Sequence, residues 1–141
     1  MHQDAMKAKI VEVSKSILSI TGIKIKGTAG LTWGSCTDDQ VKPFRATVSA
    51  TFPGQPTLAE SEHQVDEWVA RLRSHGWQAV TTVPNNATRY LSGPAGFSMA
   101  INPHVSHEVQ PGVDLTINSD CVVTDHVGSS PGDDVTNLIQ P

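Results

Sequence analysis

The sequence lacks any concentration of positive charge. No run of five or more Lys or Arg residues occurs in its 141 residues, and 10 Lys and Arg stand against 14 Asp and Glu, for a formal net charge of −4. A nucleic-acid-binding protein needs a basic face to neutralise phosphates. We therefore expect no nucleic-acid partner.

Long apolar runs are also lacking. No stretch approaches the roughly 20 apolar residues of a membrane-spanning helix. The opening MHQDAMKAKI has no apolar core of a signal peptide. We expect that Met1 stands in place of a removed export segment; the alternative is an ordinary cytoplasmic start. Charged residues are only 17% of the chain, and a surface rich in uncharged polar residues is typical of many secreted domains.

Cysteine is scarce: Cys36 ends the first predicted β segment and Cys121 lies late in the last. Two cysteines in an exported chain usually pair, so we expect a disulfide between them. Such a bridge closes a loop of about 85 residues, which the chain-entropy model values at about 4 kcal/mol. Two free buried thiols are the main alternative. A catalytic or zinc-bound thiol is disfavoured because no His adjoins either cysteine, and two thiols are too few for a zinc knuckle when the histidines are scattered along the chain.

Two segments carry the period of an amphipathic helix. The first spans roughly residues 3–21 and has Gly22 as its C-terminal stop. The second begins after Thr57, which forms a capping box with Glu60, and ends by Gly76. The apolar stripes are Met6, Ile10, Val13, Ile17 and Ile20 in the first helix, and Leu58, Val65, Trp68, Val69 and Leu72 in the second.

Strand patterns fill most of the remaining chain. Side chains alternate between apolar and polar along FRATVSATF, from Phe44 to Phe52, which predicts a half-buried strand. Further strands are predicted within Ile23–Cys36, Trp77–Val83, Thr88–Leu91, Phe97–Ile101 and Val113–Val123. The order α-β-β-α-β-β-β-β predicts an α+β two-layer sandwich, with two amphipathic helices packed on a mostly antiparallel sheet whose other face is polar.

The domain organisation follows from the same patterns. We expect residues 1–125 to form a single α+β domain. From residue 126 onward the chain is polar, with Gly, Pro and paired Asp. Residues 126–141 are therefore expected to be a loosely ordered polar tail, held at most through Leu138-Ile139.

One histidine cluster, His104-Val105-Ser106-His107-Glu108, is a candidate for chemistry. His104, His107 and Glu108 could share a metal or serve a hydrolase. The third, distant ligand of a zinc site and the helical HExxH pattern are both missing, and the flanking prolines favour a solvated loop. A GxSxG nucleophile motif is also absent. We predict no catalytic residue, no metal site and no cofactor.

The three tryptophans are assigned by position. Trp68 and Trp77 fit core positions on the second helix and on the strand after it. Trp33 precedes Gly34-Ser35-Cys36, and we expect core packing for it, with ligand stacking as the alternative. The possible ligand or partner surface consists of Trp33, Arg45, His104 and His107.

Several of these features together resemble mycobacterial envelope lipoproteins, with the LppA-like group as the nearest family. They are the stretch Trp33-Gly34-Ser35-Cys36, the alternating strand 44–52, the capped helix that carries Trp68, and the late Cys121. Proteins of this family carry a signal peptide and a lipid-modified cysteine ahead of a soluble α/β domain. The resemblance implies a protein on the outer side of the cytoplasmic membrane, attached only through an N-terminal lipid. It brings no catalytic residues.

Three functions compete. The favoured one is a non-enzymatic envelope domain that binds, as a monomer, another protein or an envelope lipid or glycolipid, because no catalytic constellation is present and one sheet face is expected to be polar. The second is a small-ligand or lipid carrier, which needs an apolar cleft between the helices and the sheet. The third is a hydrolase built on His104, His107 and Glu108.

Overall fold

The secondary structure was obtained from a computed structural model, which describes residues 1–37, 42–80, 87–105, 111–124 and 132–141. In these residues the helices are α1 (Gln3–Thr21), α2 (Leu58–Arg73) and the single turn α3 (Thr136–Ile139), with a short 3-10 turn at Pro94–Gly96. The strands are β1 (Ala29–Ser35), β2 (Phe44–Pro53), β3 (Gln78–Ala79), β4 (Arg89–Ser92), β5 (Ser98–Val105), β6 (Pro111–Asn118) and β7 (Asp133–Asp134).

All strands join one open antiparallel sheet in the order β3-β4-β5-β6-β2-β1-β7. The longest strands, β5, β6 and β2, occupy its centre, and the edge strands β3 and β7 have two residues each. Short edges limit pairing with other chains. The predicted α+β class, with helices on an antiparallel sheet, is confirmed. The first β segment is shorter than predicted, since it begins only at Ala29.

The core lies between the helices and one face of the sheet. Along β2 every second side chain is buried, as the alternation predicts, and the buried stripes of α1 and α2 pack over this face. The buried members of β2 are Phe44, Ala46, Val48, Ala50 and Phe52. Burial of such apolar surface, at about 25 cal/mol per Å², is the main force that holds the two layers together.

The ends of the two long helices follow the sequence signals. The Thr57 hydroxyl accepts a hydrogen bond from the Glu60 N–H at 3.2 Å, which satisfies one free donor of the first turn of α2. Gly22 adopts a left-handed conformation (φ 77°) and donates its N–H to the Leu18 carbonyl at 2.9 Å, which ends α1.

The C-terminal segment differs from the loosely ordered tail expected for residues 126–141. Its described part, residues 132–141, adds β7 to the edge of β1 and packs α3 against α1. Val135 is fully buried, and its N–H donates to the Ala29 carbonyl at 2.9 Å. Residues 125–131 lie outside the described part. The composition of this segment is polar, but its two inward apolar residues, Val135 and Ile139, suffice to attach it to the core.

Hydrogen bonds among Asp134, Thr136 and Ala29 also hold this C-terminal segment in place. The Thr136 hydroxyl donates to Asp134 Oδ1 at 2.6 Å, and the Thr136 N–H donates to the same oxygen at 2.9 Å. These bonds favour the carboxylate form and lower the pKa of Asp134 below its ordinary value. The Thr136 hydroxyl also accepts a hydrogen bond from the Ala29 N–H at 2.8 Å, and Asp134 pairs with Gly30. Both Asp134 and Thr136 therefore attach this segment to β1.

The turn after β4 needs a glycine because the indole ring of Trp77 lies directly on it. A Cβ atom on Gly93 would lie 2.5 Å from Cζ3 of the buried Trp77. We expect Gly93→Ala to lower the free energy of unfolding by about 2 kcal/mol, because the indole must leave its place in a close-packed core. Urea unfolding measures this. Gly30→Ala is the matched control, since nothing lies within 4 Å of its Cβ position; an equal loss in both variants would contradict the packing argument.

Candidate functional site

The second face of the sheet carries a polar surface. Because side chains alternate along a strand, the residues between the buried ones point away from α1 and α2. In the part of the chain that the structure describes, none of the three helices packs on this side. We call this surface the open face; its side chains include Thr32, Arg45, Thr47, Ser49, Thr51, Tyr90, Ser92, Ser98, Ala100, Asn102, His104, Asp114, Thr116, Asn118 and Asp134.

Hydrogen bonds between neighbouring strands order the side chains of the open face. The Thr47 hydroxyl donates to Asn118 Oδ1 at 2.7 Å across β2 and β6. At the other end of the same strand pair, the Thr51 hydroxyl donates to Asp114 Oδ1 at 2.9 Å. Such cross-strand pairs fix rotamers and contribute modestly to sheet stability. The result is a set of pre-oriented hydroxyl and amide groups on a rigid support.

One carboxylate on the open face contacts two strands at once. His104 Nε2 lies 3.2 Å from Asp114 Oδ1, the oxygen that also accepts from Thr51. The order across the sheet is therefore hydroxyl, carboxylate, imidazole. In a nucleophilic triad the imidazole must stand between the hydroxyl and the carboxylate, so that it can take the hydroxyl proton. The contact between His104 and Asp114 lacks hydrogen-bond geometry, and the row is not arranged to activate a nucleophile.

Gly112 makes room for the histidine ring. It pairs with His104 in the register of β5 and β6, and a Cβ atom on Gly112 would lie 3.1 Å from His104 Cε1. The imidazole therefore lies across the glycine backbone beside Asp114. Neither Gly112 nor Asp114 was singled out in the sequence. The signal was present, because the apolar alternation of Val113, Leu115 and Ile117 places both on the opposite face.

The residues of the predicted partner surface do not form one cluster. Arg45 is exposed on the open face at the start of β2. His104 pairs with Gly112 of β6, which in turn pairs with Pro53, so His104 lies near the opposite end of β2. Trp33 pairs with Ala46 and so lies on the helix-covered side, where it packs partly buried against the core. His107 is outside the described residues. The structure thus places Arg45 and His104 on the same face but apart.

The histidine cluster, the disfavoured candidate for a metal site or a hydrolase, is described only in part. His107 and Glu108 lie outside the described residues, and His104 Nε2 lies 3.2 Å from Asp114 Oδ1. Within the described ranges, no group of three or more His, Cys, Asp or Glu side chains is placed to hold a metal ion.

The predicted disulfide is confirmed. Cys36 and Cys121 are joined with an S–S distance of 2.09 Å and a Cα–Cα distance of 6.2 Å. The bridge links the end of β1 to the segment after β6, which returns to pair Val123 with Phe44 at the start of β2. Since disulfides persist in oxidising compartments, the bond is typical of exported proteins.

The described residues form a disulfide-bonded α+β domain with one helix-covered and one polar sheet face, and a structural disulfide is typical of exported domains. Residues 2–137 match the model of a protein family described as "Putative lipoprotein LppJ". The match covers nearly the whole chain, and the protein belongs to this family. The expected lipoprotein class is thereby confirmed, while the matched family is LppJ and the finer LppA-like assignment is not shown. Neither the curated proteins nor the solved structures contain a match to the sequence.

Membership of a lipoprotein family implies an exported protein that a lipid anchors to a membrane. Among the described helices, none has the length and apolar character that a membrane crossing requires.

Proposed function

We propose that this chain is the non-enzymatic binding domain of a cell-envelope lipoprotein and that it holds a protein or a glycolipid head group on its open face. The observation that carries this proposal is the sheet itself: one face is buried under helices, and the other presents ordered hydroxyl and amide groups. The resemblance to mycobacterial lipoproteins supports a place on the outer side of the cytoplasmic membrane. We propose that the domain acts there as a monomer.

The chemistry of the open face favours a partner rich in hydrogen-bonding groups. Its charged members among the described residues are few: Arg45 at one end, Asp114 beside His104 at the other, and Asp134 on the edge strand β7. Between Arg45 and Asp114 lie Ser49 and Thr116, which face each other in the register of β2 and β6. An acyl chain would gain little here, because burial of hydroxyl groups against hydrocarbon costs free energy. Peptide groups or sugar hydroxyls fit this surface better.

Among the described residues, the order of Thr51, Asp114 and His104 favours a binding role over a hydrolase. Thr51 and His104 both contact Asp114, so the hydroxyl and the imidazole are separated by the carboxylate. A hydrolase on this row would need the histidine to leave Asp114 and approach Thr51.

Site-specific photo-crosslinking in cells that naturally produce the protein tests the proposed face. We expect benzoylphenylalanine at Ser49, on the open face, to give a discrete adduct at least several-fold stronger than the same group at Ser16. Ser16 is the matched control, since it is an exposed serine on α1. The charge change Thr116→Lys, next to Ser49, should abolish the Ser49 adduct while the circular dichroism spectrum stays unchanged. Equal labelling at Ser49 and Ser16, or an adduct indifferent to Thr116→Lys, would refute the open face as the binding surface.

A further inference from the structure

A cleft of about 420 Å³ opens on the helix-covered side of the molecule, away from the open face. It lies between the C-terminal end of α1, the loop that follows it, the end of β2 and one side of α2. Its volume is within the range of small-molecule sites, near the lower end. Its lining includes Ile23, Lys24, Lys26, Phe52, Trp68 and Arg71.

The floor of this cleft is apolar and rigid. Phe52 and Trp68 are 5% and 8% exposed, and their rings meet edge to face with centroids 6.5 Å apart. Ile23, which is 6% exposed, adds an aliphatic side chain. Edge-to-face pairs are a favourable aromatic geometry. These side chains leave a small apolar surface at the bottom of the cleft, on which a short hydrocarbon moiety can lie.

The rim of the cleft is cationic. Lys24 and Lys26 are exposed on the loop after α1, and no carboxylate among the described residues forms an ion pair with either. Arg71 donates one hydrogen bond to the Thr21 carbonyl at 3.0 Å. Because a guanidinium has five N–H donors, others remain for a ligand. Among the residues that line the cleft the one carboxylate is Glu67, which lies 3.4 Å from His63.

The positive rim stands out against the charge of the whole chain. The protein carries a formal net charge of −4, whereas the lining has three cationic side chains and one carboxylate. Cations with no ion-pair partner among the described residues, beside an apolar floor, are complementary to a ligand with an anionic group at one end and hydrocarbon at the other. Arginine and lysine are the side chains that bind phosphate and carboxylate groups in this way.

From these observations we propose that the cleft between α1, β2 and α2 binds a small amphiphilic anion. A phosphate or carboxylate group contacts Lys24, Lys26 and Arg71, and the attached hydrocarbon lies on Phe52 and Trp68. The cleft is too small for a whole two-chain lipid, so the ligand is either a free organic anion or the head region of an anionic lipid. This site is separate from the open face, and the two can be tested independently.

The test is a titration of the ¹⁵N-labelled protein with hexyl phosphate, followed by NMR. We expect saturable shifts of the Trp68 indole N–H and of the Ile23 and Lys24 amides. Hexanol, which lacks the charge, and inorganic phosphate, which lacks the hydrocarbon, should each bind at least about fivefold more weakly, since each loses one of the two contributions. Added salt should weaken hexyl phosphate binding through screening of the rim charges.

Paired lysine variants separate a built site from general charge attraction. Lys24→Gln with Lys26→Gln should weaken hexyl phosphate binding by about fivefold, as loss of two exposed charge contacts predicts. Lys9→Gln with Lys15→Gln removes the same charge from exposed positions of α1 that do not line the cleft, and it should leave the affinity unchanged. All four positions are on the surface, so both variants should fold.

The source of the ligand is resolved by competition with vesicles. Displacement of hexyl phosphate by phosphatidylglycerol vesicles but not by phosphatidylcholine vesicles would identify a lipid head group; no displacement by either would identify a free anion. The proposal is overturned if hexanol binds as tightly as hexyl phosphate, if both lysine variants behave alike, or if the shifts occur away from Trp68 and the Ile23–Lys24 loop.

Discussion

Replacement of both cysteines by alanine is expected to lower the free energy of unfolding by about 4 kcal/mol. The bridge joins residues 85 positions apart. In the chain-entropy model a crosslink over such a loop lowers the conformational entropy of the unfolded chain, which destabilises the unfolded state by about 4.5 kcal/mol. Cys36 is exposed and Cys121 half-buried, so the substitutions leave little cavity and the effect reports the crosslink itself. For a chain of this length the melting temperature should fall by roughly 10–15 °C.

Reduction provides the control for this prediction. Urea unfolding of the native protein with and without dithiothreitol should reproduce most of the loss seen in the Cys36→Ala, Cys121→Ala variant, and the variant should not respond to the reductant. Labelling of both thiols in the untreated native protein would show that the bond is absent. A variant as stable as the native protein would show that the loop is already constrained in the unfolded state.

The parts of the fold that the sequence predicted rest on local signals. The alternation from Phe44 to Phe52 spans a whole strand, and the hydroxyl of Thr57 needs only the next turn of the helix to act as a cap. These patterns predicted α1, α2 and β2 and hence the α+β class. Sheet order depends on contacts between distant segments. Nothing local in Pro111–Asn118 indicates that β6 lies between β5 and β2.

The candidate sites show the same division. The side of β2 that carries Ser49 and Thr51 was identifiable as polar from the sequence, and the structure makes it part of a continuous face. The contact of His104 with Asp114 depends on the register between β5 and β6. The sequence between these strands has no periodic pattern, so it did not predict that register. The cationic cleft depends on how the end of α1 meets α2, a tertiary relation that no single segment encodes.

The C-terminal segment is the clearest case in which composition misleads. Two residues are too few for β7 to show any period, and α3 is a single turn, so neither could be recognised as regular structure. What holds the segment is a pair of apolar side chains four residues apart, Val135 and Ile139. Their burial outweighs the entropy of ordering one turn only because β1 and α1 already offer a preformed surface.

Ile139→Ala should therefore lower the free energy of unfolding by about 3 kcal/mol, the usual cost of truncating a buried isoleucine. Ile139 is 1% exposed, whereas its neighbour Leu138 is 50% exposed on the same helical turn. Leu138→Ala is thus a matched control with an expected change within about 0.5 kcal/mol. Urea unfolding measures both, and amide hydrogen exchange at Val135, whose N–H donates to the Ala29 carbonyl, reports the attachment locally. In Ile139→Ala this amide should exchange faster than in Leu138→Ala. If the two variants match in stability and in exchange at Val135, the segment is loosely held after all, and the burial of Ile139 contributes nothing to the fold.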